Sequence, residues 1–222
     1  MPVSGTQVPV DVLGEWKAAW KNAAFRLQMV VTVPMLVLVL GLFSVFLEWV
    51  EERPGTVLRD PILTVLPVYD FTWPIFIIIY AGLVIGLVTL GSTPVRFLTA
   101  LQSYLLMVSI RFVAMYAVPL DPPAGIIPLA DPFVQFFGSG RVPTRDLFFS
   151  GHISTLLLLS FTAGRWKWKA FFAVCALAVG VLIVWQHVHY VLDVLVAPFV
   201  AYACFRTALF FQRQCVVTGN NP

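Results

Sequence analysis

Charged side chains are scarce: Asp, Glu, Lys and Arg make up 11% of the 222 residues, against about 25% in a soluble globular chain. Hydrophobic residues make up 59%, so water cannot be the main solvent of the surface. The net charge of +3 is small and dispersed, which excludes a nucleic-acid partner. Cysteine is rare, with three residues. Cys175 and Cys204 fall inside apolar runs and Cys215 lies near the end, so no disulfide framework is implied. The opening stretch, Met1 to Val10, lacks the basic start and prompt apolar core of a cleaved signal peptide. The first long apolar run starts near Met29 and reads as an uncleaved membrane helix.

Long apolar runs are what the sequence has in quantity. A hydrocarbon core of about 30 Å needs roughly 20 apolar residues per helix. Segments 29–49, 71–91, 94–118, 150–164, 168–187 and 189–211 qualify, the fourth only if it starts near Arg145 and takes in Leu147, Phe148 and Phe149. The expected fold is all-α, a polytopic bundle of six transmembrane helices. Before it, Leu13, Trp16, Trp20, Ala24 and Leu27 recur at helical spacing, with Lys17, Lys21 and Arg26 elsewhere on the wheel. That pattern suits an interfacial amphipathic helix or a plain extension of the first span. The expected organisation is a tail and interfacial helix over 1–28, a catalytic membrane domain over 29–213 and a tail over 214–222. Pro34, Pro74 and Pro198 can kink their helices.

Basic residues orient the bundle. With an inside N-terminus, the inner side holds Lys17, Lys21, Arg26, Arg96, Arg165, Lys167, Lys169, Arg206 and Arg213. The outer side holds Arg53, Arg59, Arg141 and Arg145, and Arg111 lies within the third span. Both termini are then cytoplasmic. His152, His187 and His189, the three histidines of the chain, all fall at the outer face, which is periplasmic, lumenal or exoplasmic.

His189 and Asp193 are four apart, so on a helix their side chains meet. An aspartate inside a membrane helix is costly and marks function by default. Hydrogen-bonded to Nδ1–H, Asp193 fixes the tautomer of His189 and leaves Nε2 free as a nucleophile; the bland alternative is a polar pair that packs helices. Ser150 and Gly151 open the fourth helix, Ser150 as a cap and Gly151 for close backbone approach. Free N–H groups there favour an anion, with His152 beside it for general acid–base work. A metal is the rival for three histidines. Residues two apart on a helix point about 200° from each other, so His187 and His189 cannot grip one ion. No metal or cofactor is expected.

Phe149-Ser150-Gly151-His152 followed by His189-Tyr190-Val191-Leu192-Asp193 resembles the type 2 phosphatidic acid phosphatase superfamily, with its Ser-Gly-His and His-x3-Asp motifs. The sphingomyelin synthase branch is the closer match. Arg145-Asp146-Leu147-Phe148-Phe149-Ser150-Gly151-His152 and Gln186-His187-Val188-His189-Tyr190-Val191-Leu192-Asp193-Val194 are similar to its signatures. Arg111 through Tyr116, followed by Pro119-Leu120-Asp121-Pro122-Pro123, is similar to its Arg-x3-Met-Tyr segment and proline-rich loop. The resemblance implies that His189 attacks phosphorus to give a phosphohistidine, that Asp193 orients it, and that His152 handles the leaving and acceptor protons without a metal.

The chain departs from the superfamily's phosphatases at Phe149, where they have proline, and in having no arginine between Lys169 and Asp193. Val191 stands where the synthase branch has threonine. A monoanionic phosphodiester needs fewer cations than a phosphomonoester, so a headgroup-bearing lipid fits better. Arg111, Arg141 and Arg145 are candidate phosphate contacts, with Tyr116, Asp146, Ser150, Gly151, His187 and Tyr190 as further substrate-binding candidates. The expected activity moves a phospho-headgroup from a glycerophospholipid to a lipid hydroxyl, with membrane lipids (ceramide or diacylglycerol as acceptor) as partners. A lipid phosphatase or phospholipase C-like hydrolase using water is the alternative at the same site. A transporter or non-catalytic scaffold is the alternative of another class.

Overall fold

A computed structural model describes residues 11–130 and 142–218, with side chains up to 212. Among the described residues the chain forms seven helices: α1 (Val12–Lys21), α2 (Ala23–Glu52), α3 (Thr72–Gly91), α4 (Pro94–Ala117), α5 (Gly151–Thr162), α6 (Trp166–Trp185) and α7 (Val191–Thr218). Five of them, α2, α3, α4, α6 and α7, are long and apolar enough to cross a bilayer. They fit an integral membrane protein. Their outward faces are apolar: Leu27, Val30, Val37 and Val45 of α2 and Val84, Leu87 and Val88 of α3 are all more than half exposed. A water-facing surface rarely presents so continuous an apolar face.

Two boundaries differ from those read in the sequence. The first long helix begins at Ala23, because the Asn22 side chain accepts hydrogen bonds from the N–H groups of Ala24 (2.9 Å) and Phe25 (3.2 Å). That cap separates α1 from α2, so the amphipathic segment is not an extension of the first span. It also places Ala24 and Leu27 in α2. The fourth helix does not reach back toward Arg145. It starts at Gly151 and has 12 residues, about 18 Å of helix at 1.5 Å per residue, well short of a bilayer. Protein surrounds it instead. α5 packs against α3, α4, α6 and α7, with Leu156 and Ser154 fully buried. The α7 face that meets the bundle is built from Ala197, Ala201 and Ala208, each at most 1% exposed. Small residues let helix backbones approach closely where lipid supplies no hydrophobic drive.

Three connections interlock at one end of the bundle, those joining α2 to α3, α4 to α5 and α6 to α7. Thr56 N–H donates to Pro119 O (3.0 Å) and Asp121 N–H to Thr56 O (3.1 Å). A Cβ at Gly55 would strike the Leu120 backbone, so only glycine allows that approach. Asp60 accepts from Val191 N–H (2.9 Å) at the start of α7. Asp70 accepts from Thr72 N–H (2.9 Å) at the start of α3, and the hydrogen bonds from Thr72 hold its carboxyl below the usual value. Arg53 donates to Met115 O (2.7 Å) and Tyr116 O (2.9 Å), placing a cation on the open carbonyls that end α4.

Candidate active site

His189 lies two residues before α7, and Asp193 is the third residue of that helix. The pair therefore forms at the opening turn and not along a helix face. Asp193 Oδ2 lies 3.1 Å from His189 Nδ1 and accepts the backbone N–H of Tyr190 (3.2 Å). A carboxylate only accepts, so Nδ1 carries the hydrogen of this contact. His189 is 2% and Asp193 0% exposed. A carboxylate that deep is stabilised by the donors it holds.

The second motif is joined to the first by its backbone: Ser150 N–H donates to Asp193 O (3.2 Å). Ser150 stands at the N-cap of α5 but makes no side-chain cap bond. Its buried Oγ has no partner among the described residues, as is also true of Asp193 Oδ1 and Arg111 Nε. A Cβ on Gly151 would collide with Arg111 Nη1, so the missing side chain is what lets the guanidinium lie against the start of α5. His152 follows, its ring centroid 6.5 Å from that of His189 at an interplanar angle of 70°. Two imidazoles so placed can flank one phosphate group.

Arg111, near the C-terminal end of α4, is 4% exposed. It bonds Asp146 through Oδ1 (2.5 Å) and the main-chain O (3.3 Å), and its charge sits 5.9 Å from the Phe43 ring centre. Asp146 is thus the arginine's counter-ion, and a phosphate would bind in competition with it. His152, His189, Asp193, Ser150, Gly151, Arg111 and Asp146 are accordingly brought together.

Other sequence candidates serve the dome over the site. Arg145 Nε donates to Asp121 Oδ1 (2.7 Å) and its Nη1 to Glu51 O, while its backbone N–H meets the Glu51 carboxylate (3.0 Å). Tyr190 donates its hydroxyl to Asp121 O (2.8 Å) and accepts from Leu58 N–H (3.2 Å), pinning all three connections. Tyr116 is 63% exposed and stacks on Trp49. His187 caps α6. Its N–H meets Val184 O and the next N–H meets Ile183 O, a Schellman pattern whose left-handed position usually holds glycine. His187 occupies it at φ 57°, with Nδ1 3.0 Å from Ala124 O. Arg141 lies outside the described residues.

Sequence reading includes Gln186 at the head of the second histidine motif and gives it no role. It is fully buried, accepts from Phe71 N–H (2.8 Å) and donates to Thr72 Oγ1 (2.9 Å) and Ile127 O (3.1 Å). The rule that singled out Asp193, that a polar group at membrane depth needs a reason, applies equally to this amide.

Arg111, Asp146, Gly151 and His152 line a cavity of about 490 Å³ whose other walls are mainly apolar. Among the described residues no group of three His, Cys, Asp or Glu side chains is placed to hold a metal. Cys175 and Cys204 are free thiols. Residues 145–209 match the family model described as PAP2 superfamily C-terminal. The matched stretch takes in both histidine motifs, supports the PAP2 superfamily and implies a phosphatase-like lipid enzyme. No curated protein matches the chain.

Proposed function

We propose that this protein is a membrane lipid phosphotransferase of the sphingomyelin synthase type, moving a phospho-headgroup from a glycerophospholipid to the hydroxyl of ceramide or diacylglycerol. The observation that carries this reading is the pair of imidazoles 6.5 Å apart, one backed by Asp193 and the other at the head of an apolar cavity. Transfer runs in two displacements. His189 Nε2 attacks phosphorus as the bond to the diacylglycerol oxygen breaks, and that oxygen leaves with the proton of His152. The acceptor hydroxyl then gives its proton to His152, its oxygen attacks phosphorus, and the N–P bond returns its electron pair to His189.

Charge favours a diester. Of the described arginines near the site, Arg145 is tied to Asp121 and Glu51, which leaves Arg111 as the phosphate contact, already half balanced by Asp146. One cation suits one negative charge better than two. The bundle sits with the N-terminus inside, α1 on the inner surface and the histidines on the outer side. α5 counts as the sixth, protein-enclosed crossing.

The test is turnover of labelled phospholipid by purified protein in liposomes, with and without ceramide or diacylglycerol. A new phospholipid is expected with the acceptor present. His189→Ala reduces turnover to background and His152→Ala lowers it by about 10²–10⁴, the usual worth of general acid–base catalysis. Rate against pH is bell-shaped, because the two imidazoles work in opposite protonation states. Full turnover by His189→Ala would sink the reading; free phospho-headgroup as the only product would replace transfer by hydrolysis.

A further inference from the structure

The cavity reached by His152 is elongated. Its lining runs from Arg111 and His152 to Leu90 and Phe97, where α3 turns into α4. From Phe97 to Arg111 the α4 wall rises about 21 Å at 1.5 Å per residue. One bilayer leaflet's share of the hydrocarbon is only about 15 Å, less than the length of this wall. The floor of the slot is braced from outside. Trp16 of α1 packs edge-on against Phe97, with ring centroids 5.8 Å apart, and its Nε1 donates to Gly91 O (2.7 Å). The slot has its waist at Gly86, which packs against the Leu159 side chain of α5: an added Cβ would strike that side chain, which lines the same space. Ala100 lines the space from α4. A floor, two small residues along the walls and a charged mouth make a space of defined depth.

We infer that this slot receives one acyl chain of the lipid whose phosphate lies at Arg111, and that Gly86 and Ala100 set how long that chain can be. The inference rests on the phosphotransfer reading for the identity of the headgroup end, and on the cavity for the tail. With the phosphate at Arg111 and His152, one tail can extend down the slot. A side chain added at the waist or on the α4 wall therefore stops a long chain and leaves a short one untouched.

Binding and turnover are measured separately on the full chain, with dihexanoyl, dilauroyl and dipalmitoyl forms of one phospholipid, for the wild type, Gly86→Leu and Ala100→Phe. The wild type is expected to bind more tightly as the chain lengthens. Both variants should lose at least tenfold of affinity for the dipalmitoyl lipid and keep that for the dihexanoyl lipid, with turnover following the same pattern. Retained dihexanoyl binding reports a folded protein, and the two substitutions lie on different helices, so either one carries the test if the other fails to fold. Equal loss across the series, or no loss, overturns the inference. Chain-length discrimination in binding without turnover of any lipid leaves the slot standing and removes the phosphotransfer reading. Turnover with no chain-length dependence does the reverse.

Discussion

A methyl group at position 151 would occupy the space of the Arg111 guanidinium, so the glycine of Ser-Gly-His is fixed by a residue forty positions earlier in the chain. Gly151→Ala must push the arginine off the start of α5 and away from Asp146. Overpacking of this kind costs about 1–3 kcal/mol, and here the strain falls on Arg111, the proposed phosphate contact. Turnover by Gly151→Ala should drop by more than tenfold with expression and membrane insertion retained. In an Arg111→Ala background the same substitution should add little further loss, because contacting residues are not additive. Independent losses in that cycle would show that Gly151 acts on something other than Arg111.

Among the elements, the turn between α6 and α7 is informative because a histidine stands where a glycine is usual. A left-handed conformation costs an L-residue roughly 1–2 kcal/mol, and His187 offsets part of that through its contact with Ala124 O. His187→Ala loses the contact and keeps the strain. His187→Gly loses the contact and relieves it, so it should unfold at a higher temperature than His187→Ala in detergent, by the equivalent of about 1 kcal/mol. The reverse order would mean that the backbone at 187 is not held in this conformation.

Much of the bundle was legible in the sequence, since apolar runs report a hydrocarbon solvent directly. The Ser-Gly-His and His-x3-Asp segments could be paired because intramembrane polar residues are rare. The start of α5 at Gly151 behind Ser150 was legible too, although the Ser150 hydroxyl makes no cap bond. Two features were not legible. The positions of Arg145 and Tyr190 depend on Glu51, Asp121 and Leu58, residues distant in sequence whose partners no periodicity reveals. Tyr116 faces outward because Arg53 and Trp49 engage the end of α4, although its place in an Arg-x3-Met-Tyr segment suggested a substrate contact.

For the molecule as a whole, the distribution of basic residues sets which side the histidines face. In a cysteine-free background, Val65→Cys lies in the connection between α2 and α3, where Val65 is 78% exposed. Lys167→Cys lies at the start of α6, at the opposite end of the bundle. A membrane-impermeant maleimide should label Val65→Cys in intact cells and reach Lys167→Cys only after permeabilisation. The opposite pattern would place the histidines on the cytoplasmic face.

One contact ties the wall of the slot to its mouth. α2 lines the cavity through Leu36, Leu40 and Phe43, and packs mainly against α4 and α1. Its last turn carries Glu51, whose carboxylate grips Thr144 and Arg145 immediately before Asp146. The helix and the arginine's counter-ion are thus coupled like a lever and its latch. A tilt of α2 would therefore also pull on the carboxylate shielding Arg111.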